Sequence, residues 1–245
     1  MRRVLVVGIG AGDPEHLTLQ GVRAIGRADA FLVLDKGEVK ADLVDLRRAL
    51  VAEHGRAGAR WLEGRDPDRA RVREGYPGAV QDWRRARAQV TADLLRQVGE
   101  DETAALLVWG DPSLFDSTLA ILEQVEDVPF DVEVVPGISS VSALCAQHRI
   151  PLNRVGRPVV VTTGRRLAEG WPEGVDDVVV MLDAHGAYEG LEGVDVWWGA
   201  YVGTPDEVLV QGRLPEAAAA IRAAHDEARA RKGWIMDTYL LRRGG

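Results

Sequence analysis

Two Gly-Asp-Pro triplets, a Pro-Gly-Ile-Ser-Ser run and an Asp-Lys pair are the segments of this 245-residue chain whose residue types and spacing can do chemistry. Each sits at the end of an apolar run. Gly8-Ile9-Gly10-Ala11-Gly12-Asp13-Pro14 follows the apolar residues 4–7, and glycines there permit positive φ and let a ligand approach the backbone. Trp109-Gly110-Asp111-Pro112-Ser113-Leu114-Phe115-Asp116-Ser117 closes the run 104–109 and opens a helix. Val134-Val135-Pro136-Gly137-Ile138-Ser139-Ser140 closes another run and opens another helix. Asp35 and Lys36 end the run 30–34. A carboxylate there can take a proton or offset a developing positive charge, and an ammonium can donate to a carbonyl.

The first loop has three readings. A dinucleotide-binding Gly-x-Gly-x-x-Gly fingerprint needs glycine at position 13, where this chain has Asp13, and a carboxylate would oppose a pyrophosphate at a helix N-terminus. Gly8, Gly10 and Gly12 do match the glycines of the ordinary S-adenosylmethionine-binding Rossmann loop, with Asp35 placed as its ribose-binding acid. The third reading is a tight strand-to-helix turn that binds nothing. Taken singly, the other loops are also turn punctuation.

The elements that must position these loops alternate through the first half. Apolar periodicity predicts strands at 4–7, 30–34, 104–109 and 132–135, with helices over 17–27, 42–53 and 78–98 between them. Strands separated by helices imply a parallel sheet covered on both faces. The second half is richer in strands (158–163, 178–182, 194–202, 208–210 and 234–241), with one long helix over 217–231 and short connections that suggest a mixed sheet. The expected architecture is two α/β domains, residues 1–136 and 137–245, with a mostly parallel sheet in the first, a mixed sheet in the second and a cleft between them for a ligand.

Composition narrows the function. A net charge of −8 argues against general nucleic-acid binding. Cys145 is the single cysteine, which excludes an intramolecular disulfide, and no His/Cys/Asp/Glu set has metal-ligand spacing, so no protein-bound metal is expected. No apolar stretch approaches a membrane span, and a cytoplasmic protein is expected. One local exception to the acidic balance is the segment 60–87. It carries Arg60, Arg65, Arg69, Arg71, Arg73, Arg84, Arg85 and Arg87 against Glu63, Asp66, Asp68, Glu74 and Asp82. This reads either as a basic loop that seats an anionic substrate or as an internally ion-paired surface. His148, beside apolar Leu144 and Cys145, reads as structural, and so does His185. Trp197-Trp198 reads as core on one side and an exposed wall on the other.

In order and spacing, these segments resemble the tetrapyrrole (corrin/porphyrin) methylase family over essentially the whole chain. The resemblance rests on the first Gly-Asp-Pro loop, Leu17-Thr18-Leu19, Ala28-Asp29, the second Gly-Asp-Pro, Pro136-Gly137-Ile138-Ser139-Ser140 and Ile150-Pro151-Leu152. Ala11 departs from the pattern, which often has proline there. Within the family, residues 34–40, Arg65-Asp66-Pro67-Asp68-Arg69, Asp82-Trp83-Arg84-Arg85 and Val180-Met181-Leu182-Asp183-Ala184 resemble the member that methylates carbon 1 of precorrin-5 and releases acetate.

The resemblance implies S-adenosylmethionine as methyl donor, S-adenosylhomocysteine as product, and a homodimer. It implies a cofactor shell of Ala11, Trp109, Gly110, Asp111, Leu114, Ser139, Ser140, Leu182 and Gly203. Asp35 and Lys36 are the implied catalytic pair, and Arg65, Arg69 and Arg84 the seats for substrate carboxylates. Two other outcomes stay open: a methylase acting on uroporphyrinogen III or a neighbouring precorrin, and an S-adenosylmethionine-binding module without turnover. A family member that methylates ribosomal RNA or a translation factor fits the acidic charge less well.

Overall fold

The computed structural model describes residues 1–35, 41–67 and 79–244, without the side chains of residues 41, 42 and 79. The chain divides into two compact units, Met1–Ile138 and Ser139–Gly245.

The first unit runs β1 (Arg2–Gly8), α1 (Leu19–Arg27), β2 (Ala30–Asp35), α2 (Ala41–His54), β3 (Arg60–Arg65), α3 (Ala79–Leu95), β4 (Thr103–Val108), α4 (Thr118–Leu122) and β5 (Phe130–Val135). The strands form one parallel sheet in the order β3-β2-β4-β1-β5. The unbroken Val-Leu-Val-Val of β1 follows from this architecture. Val4 and Val6 feed a cluster with Ala92, Leu95 and Leu122 on one face, while Leu5 and Val7 feed a second cluster with Ala24, Ile25 and Leu50 on the other. Each valine, leucine or isoleucine buried in this way contributes about 1.5–3 kcal/mol through apolar area removed from water.

Several family-motif residues turn out to hold the chain in shape. Thr18 caps α1, its hydroxyl accepting the Gly21 N–H at 3.0 Å. Asp13 caps the 3-10 turn Pro14–His16 by accepting the Glu15 N–H at 2.9 Å. Asp29 accepts the Thr103 N–H at 2.8 Å and so pins the start of β2 to β4.

Two local expectations are corrected. Residues 60–65, read as the start of a basic loop, form β3, whose strand character comes from pairing with β2 and not from any alternation of its own. The helix that the segment 109–117 opens begins at Thr118 and not beside Leu114, because Leu114 turns back on Asp111 and Phe115 adopts φ 50°.

The second unit runs α5 (Ser140–His148), β6 (Val159–Thr163), α6 (Gly164–Ala168), β7 (Asp177–Met181), β8 (Val194–Ala200), β9 (Val208–Arg213), α7 (Glu216–Lys232) and β10 (Asp237–Arg243). Its mixed sheet has the order β6-β7-β10-β8-β9, with β6 and β7 parallel and the other pairs antiparallel. Ile221 and Ala228 of α7 pack with Val196, Trp198 and Tyr239. α5 needs Gly199 to approach the sheet, since a Cβ there would stand 2.8 Å from Leu144 Cδ1. The chain ends of β6, β7 and β8 share one edge, because β7 and β8 both run antiparallel to β10.

Candidate functional site

Three loops leave the C-terminal edge of the parallel sheet, where open α/β folds bind ligands. They follow β1, β4 and β5, and glycine is what lets them touch. Gly10 and Gly110 form a two-residue antiparallel bridge, with Gly110 N–H to Gly10 O at 2.8 Å and Gly10 N–H to Gly110 O at 3.3 Å. Both have positive φ, 84° and 72°. A Cβ on Gly137 would lie 2.2 Å from Gly110 O, and one on Gly8 would lie 2.6 Å from Gly137 N. No side chain fits at either place, so this edge presents main-chain groups.

The expected cofactor residues of the first unit meet here. Asp111 is an internal strut: its Oδ2 accepts the Gly137 N–H at 2.9 Å and its Oδ1 the Ser113 N–H at 2.8 Å. Partial burial works upward on the Asp111 carboxyl, but bonds from the Ser113 hydroxyl, the Gly137 N–H and the Ser113 N–H together hold it below the ordinary carboxylate value. Ala11 is buried, so its backbone is all it can offer a ligand. Leu114 is half-buried. The Trp109 Nε1 is buried and has no hydrogen-bond partner among the described residues, and the same holds for Nδ1 of His16, which packs against Gly10. Backbone-lined loops with an orphaned buried donor suit a ligand held by amides and carbonyls.

Sequence reasoning missed Phe115, a residue 44% exposed on a backbone at φ 50°. A non-glycine residue held at positive φ beside the glycine bridge is a strained position of the kind that clusters at functional sites. Its signal was the apolar Leu114-Phe115 pair inside an otherwise polar loop.

The second expected cluster stands at the C-terminal ends of β2 and β3. Asp35 and Arg65 are register partners on adjacent strands, both exposed. Just beyond, Asp66 and Arg87 form an ion pair (Nε to Oδ1 2.8 Å), the Arg87 guanidinium lies 4.5 Å from the Trp83 ring centroid, and Trp83 Nε1 donates to Pro67 O at 3.2 Å. Thus α3 is clamped to the end of β3. Of the arginine group, Arg60 is committed to Glu102, Arg85 to Asp82 and Arg87 to Asp66. Arg65 and Arg84 have no carboxylate partner among the described residues, and Arg84 Nε is buried without a hydrogen bond there. Lys36 and Arg69 lie outside the described residues, as do Glu38, Asp68, Arg71, Arg73 and Glu74.

The remaining expected residues belong to the second unit. Ser139 caps α5, its hydroxyl accepting the Ser142 N–H at 3.2 Å, and Ser140 is the first residue of that helix. Leu182 follows β7, 66% exposed at φ 54°. Gly203 lies beyond β8 with φ 81°, its N–H donating to Glu207 Oε2 at 2.7 Å. Leu182 and Gly203 therefore share the edge where β7 and β8 end. Beside Leu182, the Asp183 carboxylate accepts N–H bonds from His185, Gly186 and Ala187 and the Tyr239 hydroxyl at 2.6 Å. Burial above all, reinforced by Asp183, drives the Tyr239 hydroxyl far upward, so it stays protonated and donates. His148 is structural: its ring nitrogens lie 3.1 Å from Gln211 Oε1 and 3.0 Å from Trp198 O.

Comparison with known proteins agrees with this arrangement. Residues 3–218 match the model of the tetrapyrrole (corrin/porphyrin) methylases. The chain is 45% identical to the deacetylating precorrin-6A synthase of a Sinorhizobium species, over 100% of this chain and 96% of the relative. A cobalamin-synthesis-related protein from Corynebacterium diphtheriae superposes with a TM-score of 0.85 at 39% identity, covering 99% of both chains. The uroporphyrin-III C-methyltransferase of Thermus thermophilus, solved in complex with S-adenosylhomocysteine, shares the fold at a TM-score of 0.59 and 21% identity, over 98% of this chain and 96% of that one. The chain belongs to the tetrapyrrole (corrin/porphyrin) methylases.

Proposed function

We propose that this chain is the S-adenosylmethionine-dependent C-methyltransferase of cobalamin biosynthesis that methylates carbon 1 of precorrin-5 and releases acetate to give precorrin-6A. The observation that carries the reading is the 45% identity to a deacetylating precorrin-6A synthase along the whole chain.

S-adenosylmethionine supplies a methyl group already activated on a sulfonium, so the protein's tasks are to hold the reactants in line and keep water away. Main-chain groups of Gly10, Ala11, Trp109 and Gly110 bind the cofactor, with Leu114 as an apolar neighbour. Asp111 keeps that surface in shape by holding Gly137. Ser139, Ser140, Leu182 and Gly203 are the cofactor contacts we assign to the second unit. The Asp35 carboxylate, at the mouth of β2, offsets positive charge on a pyrrolic nitrogen or takes its proton. Lys36 donates to the acetyl carbonyl during deacetylation. Arg65, Arg69 and Arg84 take substrate carboxylates, since a fork of N–H donors suits them.

No helix of the described residues is long and apolar enough to cross a membrane. We place the enzyme in the cytoplasm as a homodimer, which sedimentation of the purified chain tests.

The decisive experiment is an anaerobic incubation with S-adenosylmethionine and enzymatically generated precorrin-5, followed by mass spectrometry of the tetrapyrrole and assay of free acetate. One methyl gained with stoichiometric acetate is expected. A methyl gained without acetate assigns the chain to another tetrapyrrole substrate, and cofactor binding without transfer to any tetrapyrrole defeats the catalytic reading.

A further inference from the structure

The sheet of the first unit comes apart at one place, and a side chain fills the gap. β2 and β4 are in register at Ala30–Ala104 and Phe31–Ala105, where their pairing ends. Beyond that, β2 continues alongside β3 as far as Asp35–Arg65, and β4 alongside β1 as far as Val108–Gly8. The carbonyls of β4 alternate in direction. Val108 O accepts Ile9 N–H on the β1 side at 2.9 Å, whereas Thr103 O accepts Asp29 N–H on the β2 side at 2.7 Å. Leu107 O, two steps along from Ala105, therefore faces β2 at a level where β2 no longer pairs. A buried carbonyl needs a partner. Arg47 of α2 supplies it, with Nε donating to Leu107 O at 2.9 Å while Nη1 donates to Leu43 O at 2.7 Å.

We propose that Arg47 is a positioning residue for cofactor binding: its guanidinium takes the place of β2 at Leu107 and thereby sets the course of β4 into the Trp109-Gly110-Asp111 loop. The guanidinium bridges a strand carbonyl and a helix carbonyl, so the exit of β4 is fixed relative to α2 and not to β2. The splay it maintains separates the mouth of β2, which carries Asp35, from the mouth of β4, which carries the glycine bridge to Gly10. Burial lowers the Arg47 group to about 10, against the upward pull of the Asp116 carboxylate, so it remains charged at neutral pH. Asp116 itself accepts the Thr118 N–H at 2.6 Å at the start of α4. The same cation thus acts on both ends of the loop, by hydrogen bond at Leu107 and by charge at Asp116.

This inference rests on the reading that the loop holds S-adenosylmethionine, and the experiment separates the two. The dissociation constant of S-adenosylhomocysteine is measured by calorimetry for the full chain and for Arg47→Met, Arg47→Lys, Gly110→Ala and Ile25→Val, with thermal midpoints alongside. Loss of a charge-assisted bond at Leu107 weakens binding in Arg47→Met by roughly tenfold. Arg47→Lys recovers part of it, since one ammonium reaches one carbonyl and not two. In turnover assays the KM for S-adenosylmethionine rises while kcat changes little. Ile25→Val, a core change in the same unit, lowers the midpoint and leaves affinity unaltered, which a merely structural Arg47 would imitate. A folded Arg47→Met that binds as wild type, while Gly110→Ala does not, overturns the inference and leaves the cofactor reading standing. If Arg47→Met does not fold, wild-type affinity and KM in Arg47→Lys overturn it equally. Wild-type binding in Gly110→Ala removes the cofactor reading and the inference with it.

Discussion

Asp111 and Gly137 are joined by a single hydrogen bond, Gly137 N–H to Asp111 Oδ2 at 2.9 Å, which ties the loop after β4 to the loop after β5. The contact is possible because Gly137 has no side chain to collide with Gly110 O. The acid of the second Gly-Asp-Pro triplet therefore acts on the protein's own backbone.

Replacing Asp111 with Asn puts a donor where the carboxylate had an acceptor, and is expected to destabilise the chain by about 1–3 kcal/mol. The hydrogen bonds that outweigh burial depress the Asp111 value in the folded state. A depressed acid contributes stability that is present above its unfolded value, about 4, and is lost as pH falls through the folded value. Urea unfolding should show a constant gap between wild type and Asp111→Asn from pH 6 to 8, estimated on that basis, and a closing gap below about pH 4. A gap that persists at low pH would contradict the assignment.

Asp237 works in the opposite sense. Burial pushes its carboxyl up to about 6, the nearby Asp183 adds to the rise, and the Trp198 Nε1–H bond at 2.9 Å only partly offsets it. A raised acid contributes stability that is fully present below its unfolded value and is lost as pH climbs through the folded one. Asp237→Asn keeps an acceptor for Trp198 without the charge. It should therefore be more stable than wild type at pH 8, by about 1–3 kcal/mol, and indistinguishable from it near pH 4. Thermal melts across that range check the sign.

The ion pair between Asp66 and Arg87 is nearly enclosed, with side-chain exposures of 10% and 11%. Removing one partner strands the other, so Arg87→Met should cost about 3–5 kcal/mol, and the double change with Asp66→Asn should recover part of that. A double-mutant cycle by chemical denaturation measures the coupling; additive losses would mean the pair does not clamp α3 to β3.

At the mouth of β2, Asp35→Asn is expected to lower kcat by roughly a hundredfold, the low end for a lost acid-base group, with S-adenosylhomocysteine affinity unchanged. Arg65→Gln and Arg84→Gln should instead raise the KM for the tetrapyrrole by roughly three- to tenfold each, the scale of one carboxylate contact. Steady-state kinetics separates the two patterns. Full turnover in Asp35→Asn would remove that residue from the chemistry.

Much of this molecule was legible from residue order. The doubly apolar β1 follows from an unbroken apolar run, and the long α7 and the strand-rich second half from periodicities of 3.6 and 2, because burial on one face or two leaves its trace in consecutive residues. The Thr18, Asp13 and Ser139 caps are equally local: each side chain reaches an N–H two or three positions along. Tertiary structure decided the rest. β3 is polar enough to pass for a loop and is a strand only because β2 lies beside it. The arginine-rich segment is partly neutralised by partners such as Glu102, well away in sequence. Nothing near Arg47 in the chain announces that Leu107 will lack a strand partner. A hydrophobic pattern records how deeply a residue is buried, whereas the neighbour that satisfies a buried polar group is set by chain segments that meet only when the sheet assembles.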